Sequence, residues 1–245
     1  MRILPILFNT DMVRAILEGR KKATRRVIKF PKNRFTGEIP KADKLKVYKN
    51  TILADKISFH EEPHFAFDVK PPCKTGDILY VRETWAWEPC WDCGMDTEEG
   101  GCDYEYERVY NQKKKEYGCY CYRASMEMGE ELSVDTWHPS IHMSKAAARI
   151  WLKVTDVRVE RLRDMSEEQV KAEGVYFNHE LMAWTWKHKA NRRTCHAYIG
   201  MYSAMKALWN STVKEKDKDK YDWNANPWVW VIEFERCKEP EEWSV

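Results

Sequence analysis

The residues with the clearest chemical potential form a basic cluster near the N-terminus. Six lysine and arginine side chains fall between Arg20 and Lys29, and Thr24 lies among them. Crowded cations lower the pKa of a neighbouring lysine because each positive charge disfavours another. A neutral Lys21 could therefore accept a proton from the hydroxyl of Thr24 and make that oxygen nucleophilic. The alternative is a group of surface cations after a helix C-terminus, where lysine and arginine are common.

A second candidate is Glu173, an acid in the last turn of a predicted helix. Its carboxylate faces the negative end of the helix dipole, where basic side chains are the usual choice. A carboxyl group in such a place can carry protons if it also lies in a pocket. The alternative is a solvent-exposed acid on a polar helix that also contains Glu167, Glu168 and Lys171.

Four cysteines in one segment have a spacing that suits a metal. Two residues separate Cys90 from Cys93, and one residue separates Cys119 from Cys121. Paired thiolates on two turns favour tetrahedral zinc, and a metal would stabilise a segment that is poor in aliphatic residues. Such a zinc ion would be structural, because four sulfur ligands leave no coordination position open. The alternative is four unliganded thiols.

The elements that must position the basic cluster are a strand and a helix. Apolar residues predict a short buried strand over 2–8, and Thr10 is the expected N-cap of the helix that follows. Gly19 ends this helix, since a glycine commonly occupies the first left-handed position after a helix. Residues 23–29 then form a strand or a tight loop that carries the basic side chains.

The position of Glu173 depends on later elements. A strand is predicted over 77–85, and a strand pair or one long bent strand over 147–162. Ser166 opens the sequence Ser-Glu-Glu-Gln, a capping box that predicts a short helix over 167–173. The last strand, over 228–234, alternates between two faces and is the clearest of all.

Two segments interrupt this pattern. Prolines break the stretch at about 30–74, and the stretch at about 87–135 is rich in cysteine, tyrosine and acids. A further helix is predicted near 195–209, and the alternating charges of 214–220 indicate a solvated loop. We therefore predict one α+β domain over 1–245, a small mixed β-barrel with helices packed outside it and two loop-rich insertions.

Composition limits the class of partner. The 245 residues are 43% hydrophobic, enough for a substantial core, and the charged residues nearly balance at a net charge of +2. No global field draws this chain to DNA or membranes, so affinity for nucleic acid must come from a local patch. The apolar N-terminus is interrupted by Asn9, Thr10 and Asp11, too early for a signal peptide or a membrane span. A cytoplasmic protein is expected, and nothing in the sequence specifies its oligomeric state.

Two motifs resemble a known family. Residues 19–26 resemble the Gly-Arg-Lys-x-x-Thr-x-Arg motif that opens domains of the activating-signal-cointegrator-homology (ASCH) family. Residues 75–83, Thr-Gly-Asp-Ile-Leu-Tyr-Val-Arg-Glu, resemble the family's Gly-Asp-x-Leu strand. The later strand, capped helix and closing strand follow in the same order, and the whole layout is most similar to longer ASCH proteins of phages and prophages. The implied fold is a barrel related to pseudouridine-synthase-associated (PUA) RNA-binding domains.

The resemblance also implies an activity. Small bacterial members of that superfamily hydrolyse N4-acetylcytidine with a lysine, a threonine and a glutamate, which match Lys21, Thr24 and Glu173. The implied function is an amidohydrolase that removes the acyl group from N4-acylated cytidine, with threonine as the nucleophile and no cofactor for catalysis. This chain is more than twice as long as those enzymes because of its insertions.

Five further residues are candidates for binding a modified nucleoside or RNA. Arg20 and Arg26 could bind a substrate oxygen or phosphate, or could instead pair with acids. Arg82 and Glu83 precede Trp85, which is either a stacking platform for a base or part of the core. A noncatalytic RNA-binding module is the alternative function. A ribonuclease ranks below it, because no histidine pair or acidic metal cluster is evident.

Overall fold

The computed structural model describes residues 1–32, 40, 44–47, 56–61, 65–89, 108–113, 115–126, 134, 136–187 and 196–240. These residues form thirteen β-strands and four α-helices, so the predicted α+β class is confirmed, with strands in the majority. In chain order the elements are β1 (Ile3–Leu7), α1 (Thr10–Leu17), β2 (Ala23–Val27), β3 (Leu45–Val47), β4 (Ile57–Glu61), β5 (Phe65–Val69), β6 (Ile78–Arg82), β7 (Trp85–Pro89), β8 (Arg108–Asn111), β9 (Glu116–Tyr122), β10 (Trp151–Arg161), α2 (Glu167–Ala172), β11 (Tyr176–Asn178), β12 (Ala183–Thr185), α3 (Met201–Thr212), α4 (Lys218–Tyr221) and β13 (Trp228–Cys237).

A five-stranded sheet in the order β1-β6-β10-β13-β2 positions the candidate residues. β1 and β6 are parallel, and the other neighbours are antiparallel. β10 is one long strand with an irregularity between Val154 and Asp156, as a bulge would produce, which agrees with the predicted bent strand. The sheet is open, because β1 and β2 are its edges and no backbone ladder joins them among the described residues. The predicted barrel is therefore not closed.

Both faces of β13 contribute to hydrophobic cores, which explains why residues 228–232 are all apolar. Trp230, Ile232 and Phe234 lie in the main hydrophobic core, together with residues of α1 and β6. Val229 and Val231 point the other way into a second core, where α2 and α3 cover the sheet. Successive side chains of a strand leave opposite faces, so one strand serves both cores. The sheet is thus a layer between two apolar clusters.

The ends of α1 and α2 follow local hydrogen-bonding rules. Asn9, not Thr10, caps α1, because the Asn9 side chain accepts a hydrogen bond from the backbone N–H of Met12 at 2.9 Å. Thr10 is the first helical residue, so the predicted cap was one position too late. The predicted capping box of α2 is confirmed, since Ser166 and Gln169 each bond the other's backbone N–H.

The segments predicted to be loop-rich contain more strand than expected. β3, β4 and β5 form a three-stranded sheet in the first, and β7, β9 and β8 form another in the second. The strand predicted over 77–85 is two strands, because β6 ends at Arg82 and β7 pairs with β9 instead. The helix predicted near 195–209 is α3, which begins later than expected, and α4 occupies part of 214–220, where a solvated loop was predicted. None of the helices in the described part is long and apolar enough to cross a membrane.

Glycines with positive φ follow α1 and α2, and they differ in their surroundings. Gly19 has φ +74°, and a Cβ added there would meet no atom within 4 Å. Gly174 has φ +100°, and a Cβ added there would lie 3.2 Å from Cβ of Ala15. The first glycine is therefore required only by its backbone angle, and the second also by the close approach of α1.

Alanine at these two positions should have unequal effects on stability. Gly19→Ala should cost about 1–2 kcal/mol through backbone strain alone. Gly174→Ala should cost more, because it adds a close contact with Ala15 to that strain. Urea denaturation of both variants measures the difference, and equal losses would contradict the tight packing at Gly174.

Candidate active site

The backbone holds Lys21 between the ends of two helices. The N–H of Lys21 donates to the carbonyl of Ala15 in α1 at 2.9 Å, and the N–H of Lys22 donates to Ala172 in α2 at 2.8 Å. Lys21 and Glu173 also form an isolated antiparallel bridge. The C-termini of α1 and α2 therefore meet at the start of β2, which brings the lysine to the helix end that carries Glu173.

The side chains of Lys21 and Glu173 form a buried ion pair. The Nζ atom of Lys21 lies 2.6 Å from Oε2 of Glu173, and it also donates to the Glu173 carbonyl at 3.1 Å. The exposed fractions of the two side chains are 0% and 5%. Neither side chain is solvated, so the alternatives of a surface lysine and a solvent-exposed glutamate are wrong. The structure brings together two of the three predicted catalytic residues.

Glu173 has a second basic partner that the sequence did not single out. Nη1 of Arg25 lies 3.0 Å from Oε1 of Glu173, and Nη2 of the same guanidinium lies 3.2 Å from Glu160. Glu160 also accepts a hydrogen bond from Arg158 at 2.6 Å. The side chains alternate in sign from Lys21 to Arg158. The only sequence feature that pointed to Arg25 was its place in the basic cluster, and that feature does not predict its contacts with Glu173 and Glu160.

Burial lowers the pKa of Lys21 below the 10.5 of an ordinary lysine. The charge and hydrogen bond of Glu173 act in the opposite direction, and Arg26 and Arg25 lower the pKa slightly further. Removal from water disfavours the charged form of a lysine. The sequence predicted a lowered pKa for Lys21, and the structure agrees. The main cause is burial, and the neighbouring cations contribute less than the sequence suggested.

Thr24 lies on β2 and faces the main core. It pairs with Ile232 of β13, and Arg26 pairs with Trp230, and both partners belong to that core. Arg25 points to the opposite face of the sheet, since side chains alternate along a strand. Thr24 is 3% exposed. The predicted nucleophile therefore has a fixed position on a central ladder, on the same face as Arg26.

An aromatic ring connects the lysine with that face. The ring of Phe8 has its centroid 5.7 Å from Nζ of Lys21 and 5.4 Å from the guanidinium carbon of Arg26. A cavity of about 290 Å³ lies on this side of the sheet, lined by Arg26 and Ile232 among others. Ile232 is the ladder partner of Thr24, so the cavity lies beside the threonine, although Thr24 is not among its lining residues.

Lys21 also borders a second space. A cavity of about 610 Å³ lies next to the ends of α1 and α2, with Lys21, Gln169 and Glu233 in its wall. Lys21 therefore contributes to the wall of this cavity, although its side chain is 0% exposed.

The predicted substrate-binding residues differ in their partners. Arg20 forms an ion pair with Glu18 at 2.6 Å, and its guanidinium carbon lies 4.4 Å from the ring centroid of Tyr176. Arg20 therefore pairs with an acid, which was the alternative to binding substrate. Arg26 donates to the carbonyl of Leu7 at 2.7 Å and forms no ion pair with an acid among the described residues, although the charge of Glu173 acts on it. Of these two arginines, Arg20 is the one that forms an ion pair among the described residues.

Arg82 lines the same cavity as Arg26, but its neighbours in sequence point elsewhere. Glu83 is buried in a two-pronged ion pair with Arg149, with both hydrogen bonds at 3.0 Å. Trp85 packs against Tyr120 and His138, with ring centroids 5.7 and 5.0 Å away. These contacts favour a packing role for Trp85 and a structural role for Glu83.

The cysteine prediction falls partly outside the described residues. Cys90 and Cys93 lie outside them, whereas Cys119 and Cys121 are buried on one face of β9 against Ala86. No cluster of three or more histidine, cysteine, aspartate or glutamate side chains with metal-binding geometry occurs in the described ranges. The structural zinc ion therefore stays a prediction.

Comparison of the chain with protein-family models, curated proteins and solved structures found no match. The resemblance to ASCH domains therefore rests on the sequence motifs quoted above and stays a prediction.

The two members of the buried ion pair should contribute unequally to stability. Glu173→Gln removes the carboxylate shared by Lys21 and Arg25, and stranding a buried charge costs about 3–5 kcal/mol. Lys21→Met should cost less, because Glu173 keeps its contact with Arg25 at 3.0 Å. Adding Lys21→Met to Glu173→Gln should restore part of the loss. Urea denaturation tests this order, and a larger loss for Lys21→Met would contradict it.

Proposed function

We propose that this protein is an amidohydrolase that removes the acyl group from N4-acylated cytidine, on an ASCH-type scaffold related to PUA domains. The observation that carries the proposal is the buried contact of 2.6 Å between Nζ of Lys21 and Oε2 of Glu173, next to the strand that holds Thr24. Lysine, threonine and glutamate are the three residues that the ASCH resemblance implies for this reaction.

The energetics of the ion pair favour a functional role. Two buried charges lose their hydration, and replacing such a pair with apolar residues is often neutral or stabilising. A buried lysine with a lowered pKa and a specific acidic partner is typical of catalytic sites. The contact between Lys21 and Glu173 has both properties. Stability alone is therefore a weak reason for these residues to be present.

In the first step, Oγ of Thr24 attacks the carbonyl carbon of the acyl group. A carbon–oxygen bond forms, the hydroxyl proton passes to the neutral amine of Lys21, and the carbonyl electron pair moves onto oxygen. Glu173 orients the lysine amine through its contact with Nζ. Arg25 fixes the other carboxylate oxygen at 3.0 Å, so the glutamate cannot rotate away.

In the second step, the oxyanion re-forms the carbonyl and the bond between carbon and N4 breaks. The proton held by Lys21 and Glu173 moves to N4, so cytidine leaves as a neutral amine. Water then attacks the acyl-threonine, gives its proton to Lys21 and releases the carboxylic acid. Lys21 passes this proton to the oxygen of Thr24, which restores the hydroxyl and leaves the lysine amine neutral, as at the start of the reaction.

Hydrolysis of N4-acetylcytidine tests this assignment directly. We expect the wild-type protein to release cytidine, which chromatography separates from the substrate. Thr24→Val keeps the shape of the side chain but removes the nucleophile, and should lower turnover by about 100-fold or more. Thr24→Ser should retain measurable activity because it keeps a hydroxyl.

The matched control is Thr212→Val, which makes the same chemical change at the end of α3. Within the described part of the chain, the hydroxyl of Thr212 bonds only the carbonyl of Trp209 in its own helix, so this variant should keep wild-type turnover. Undiminished activity of a folded Thr24→Val protein would refute the role of Thr24. Salt-sensitive binding of single strands without turnover would instead identify a noncatalytic RNA-binding module.

The rate should depend on pH through Lys21. Because the pKa of Lys21 is lowered, its neutral form becomes populated at a lower pH than in an ordinary lysine. We therefore expect kcat/KM to rise with pH through an apparent pKa below 10.5. Lys21→Arg should remove this rise along with most of the activity, since a guanidinium does not deprotonate. A rate that does not change across that range would argue against lysine as the base.

A further inference from the structure

The cavity that contains Arg26 is positively charged. Two guanidinium groups line it, from Arg26 in β2 and Arg82 at the end of β6. The other lining residues are aliphatic side chains, prolines and Cys73. Burial raises the pKa of the Cys73 thiol to about 11, so the thiol is uncharged at neutral pH. The cavity therefore holds two positive charges and no negative one.

Neither guanidinium forms an ion pair with an acid within the described ranges, and the charge of Glu173 acts on Arg26 without a hydrogen bond between them. Arg26 donates to the carbonyl of Leu7, and Arg82 donates to the carbonyl of Ile141. The Nε atom of Arg82 is also buried and has no acceptor among the described residues. Arg149, by contrast, forms two hydrogen bonds with Glu83. Arg26 and Arg82 thus keep donors and charge for a ligand.

A neighbouring cavity continues this positive surface. It has a volume of about 560 Å³ and shares Arg26 and Pro72 with the first cavity. Its wall includes the exposed Lys29 and Lys70, and the half-buried ring of Phe30. Its one acid, Asp68, already contacts Lys56 at 3.8 Å and accepts a hydrogen bond from Ser58.

We propose that the cavity between Arg26 and Arg82 binds a phosphate group of a nucleotide. A guanidinium presents two N–H donors in one plane, which match two phosphate oxygens. Resting on the proposed function, this makes the substrate a phosphorylated form of the acylated cytidine. Thr24 and Arg26 are two residues apart on one face of β2, so the acyl group and the phosphate contact adjacent positions of the same strand.

The phosphate could belong to a mononucleotide or to a single strand, and these two ligands differ in their use of the second cavity. A mononucleotide needs only the site between Arg26 and Arg82. A single strand would place further phosphates near Lys29 and Lys70, and the ring of Phe30 offers a surface for stacking a base. The chemistry at the first site is the same in both cases, and ligands of different length distinguish them.

Equilibrium binding to the full chain tests the phosphate site without relying on hydrolysis. The probes are cytidine, cytidine 5′-monophosphate and a short single-stranded oligoribonucleotide, all without an acyl group. We expect the monophosphate, the oligoribonucleotide or both to bind about tenfold more tightly than cytidine. A gain for the monophosphate identifies a mononucleotide ligand, and a gain for the oligoribonucleotide alone identifies a strand. Equal affinity for all three probes would overturn the proposal.

Arg82→Gln should remove most of the gain due to phosphate, and Arg82→Lys should retain part of it because the charge remains. The matched control is Arg163→Gln, which changes an exposed arginine that lies outside the cavities described above. A folded Arg82→Gln protein that keeps the full gain would overturn the site. If Arg82→Gln does not fold, Arg82→Lys and the wild-type comparison still decide the question.

Salt dependence tests the path along the second cavity. If a strand is the ligand, Lys70→Gln should reduce the slope of log affinity against log salt by about 0.7, the value for one lost phosphate contact on a single strand. An unchanged slope would place the strand elsewhere and overturn that source. Failure of N4-acetylcytidine hydrolysis with phosphate-dependent binding intact would refute the proposed activity while leaving the phosphate site in place.

Discussion

The rest of the site depends on one buried contact between an ammonium and a carboxylate. Lys21 and Glu173 have lost their hydration, and each compensates the other at 2.6 Å. That contact requires the ends of α1 and α2 to meet at the start of β2, and Gly174 allows them to approach closely. The pKa of Lys21 therefore depends on its burial and on the position of Glu173, both of which the fold determines. The same geometry that compensates the charges also sets the proton affinity of the lysine.

The distribution of charge divides the molecule into two kinds of region. On the helix side of the sheet, arginines and glutamates compensate one another in a continuous network from Lys21 to Arg158. On the opposite side, Arg26 and Arg82 line a cavity without an acid in its wall. The net charge of +2 conceals this contrast because it averages over the whole chain. An anion can bind where positive side chains are not paired with nearby acids, so the local pairing of charges matters more than the net charge.

Patterns of short range were predicted well, and their errors have physical reasons. The capping box at Ser166, the glycine stop at Gly19 and the alternation of β13 were all confirmed. The cap of α1 was placed one residue late because Asn9 and Thr10 can both accept the same kind of hydrogen bond. The strand over 77–85 was predicted as one element, since alternation continues although its two halves pair in different sheets.

Local sequence patterns predict which residues cap helices, form turns and alternate along strands, because those properties depend on neighbours a few positions away. The sequence also supplied the lysine, the threonine and the glutamate through a motif resemblance. The contact between Lys21 and Glu173, which are 152 positions apart, and the place of Arg25 beside them become visible only in the folded chain. The same is true of the cavity that Arg26 and Arg82 share. Contacts of this kind depend on sheet order and helix packing, which no local pattern of residue types encodes.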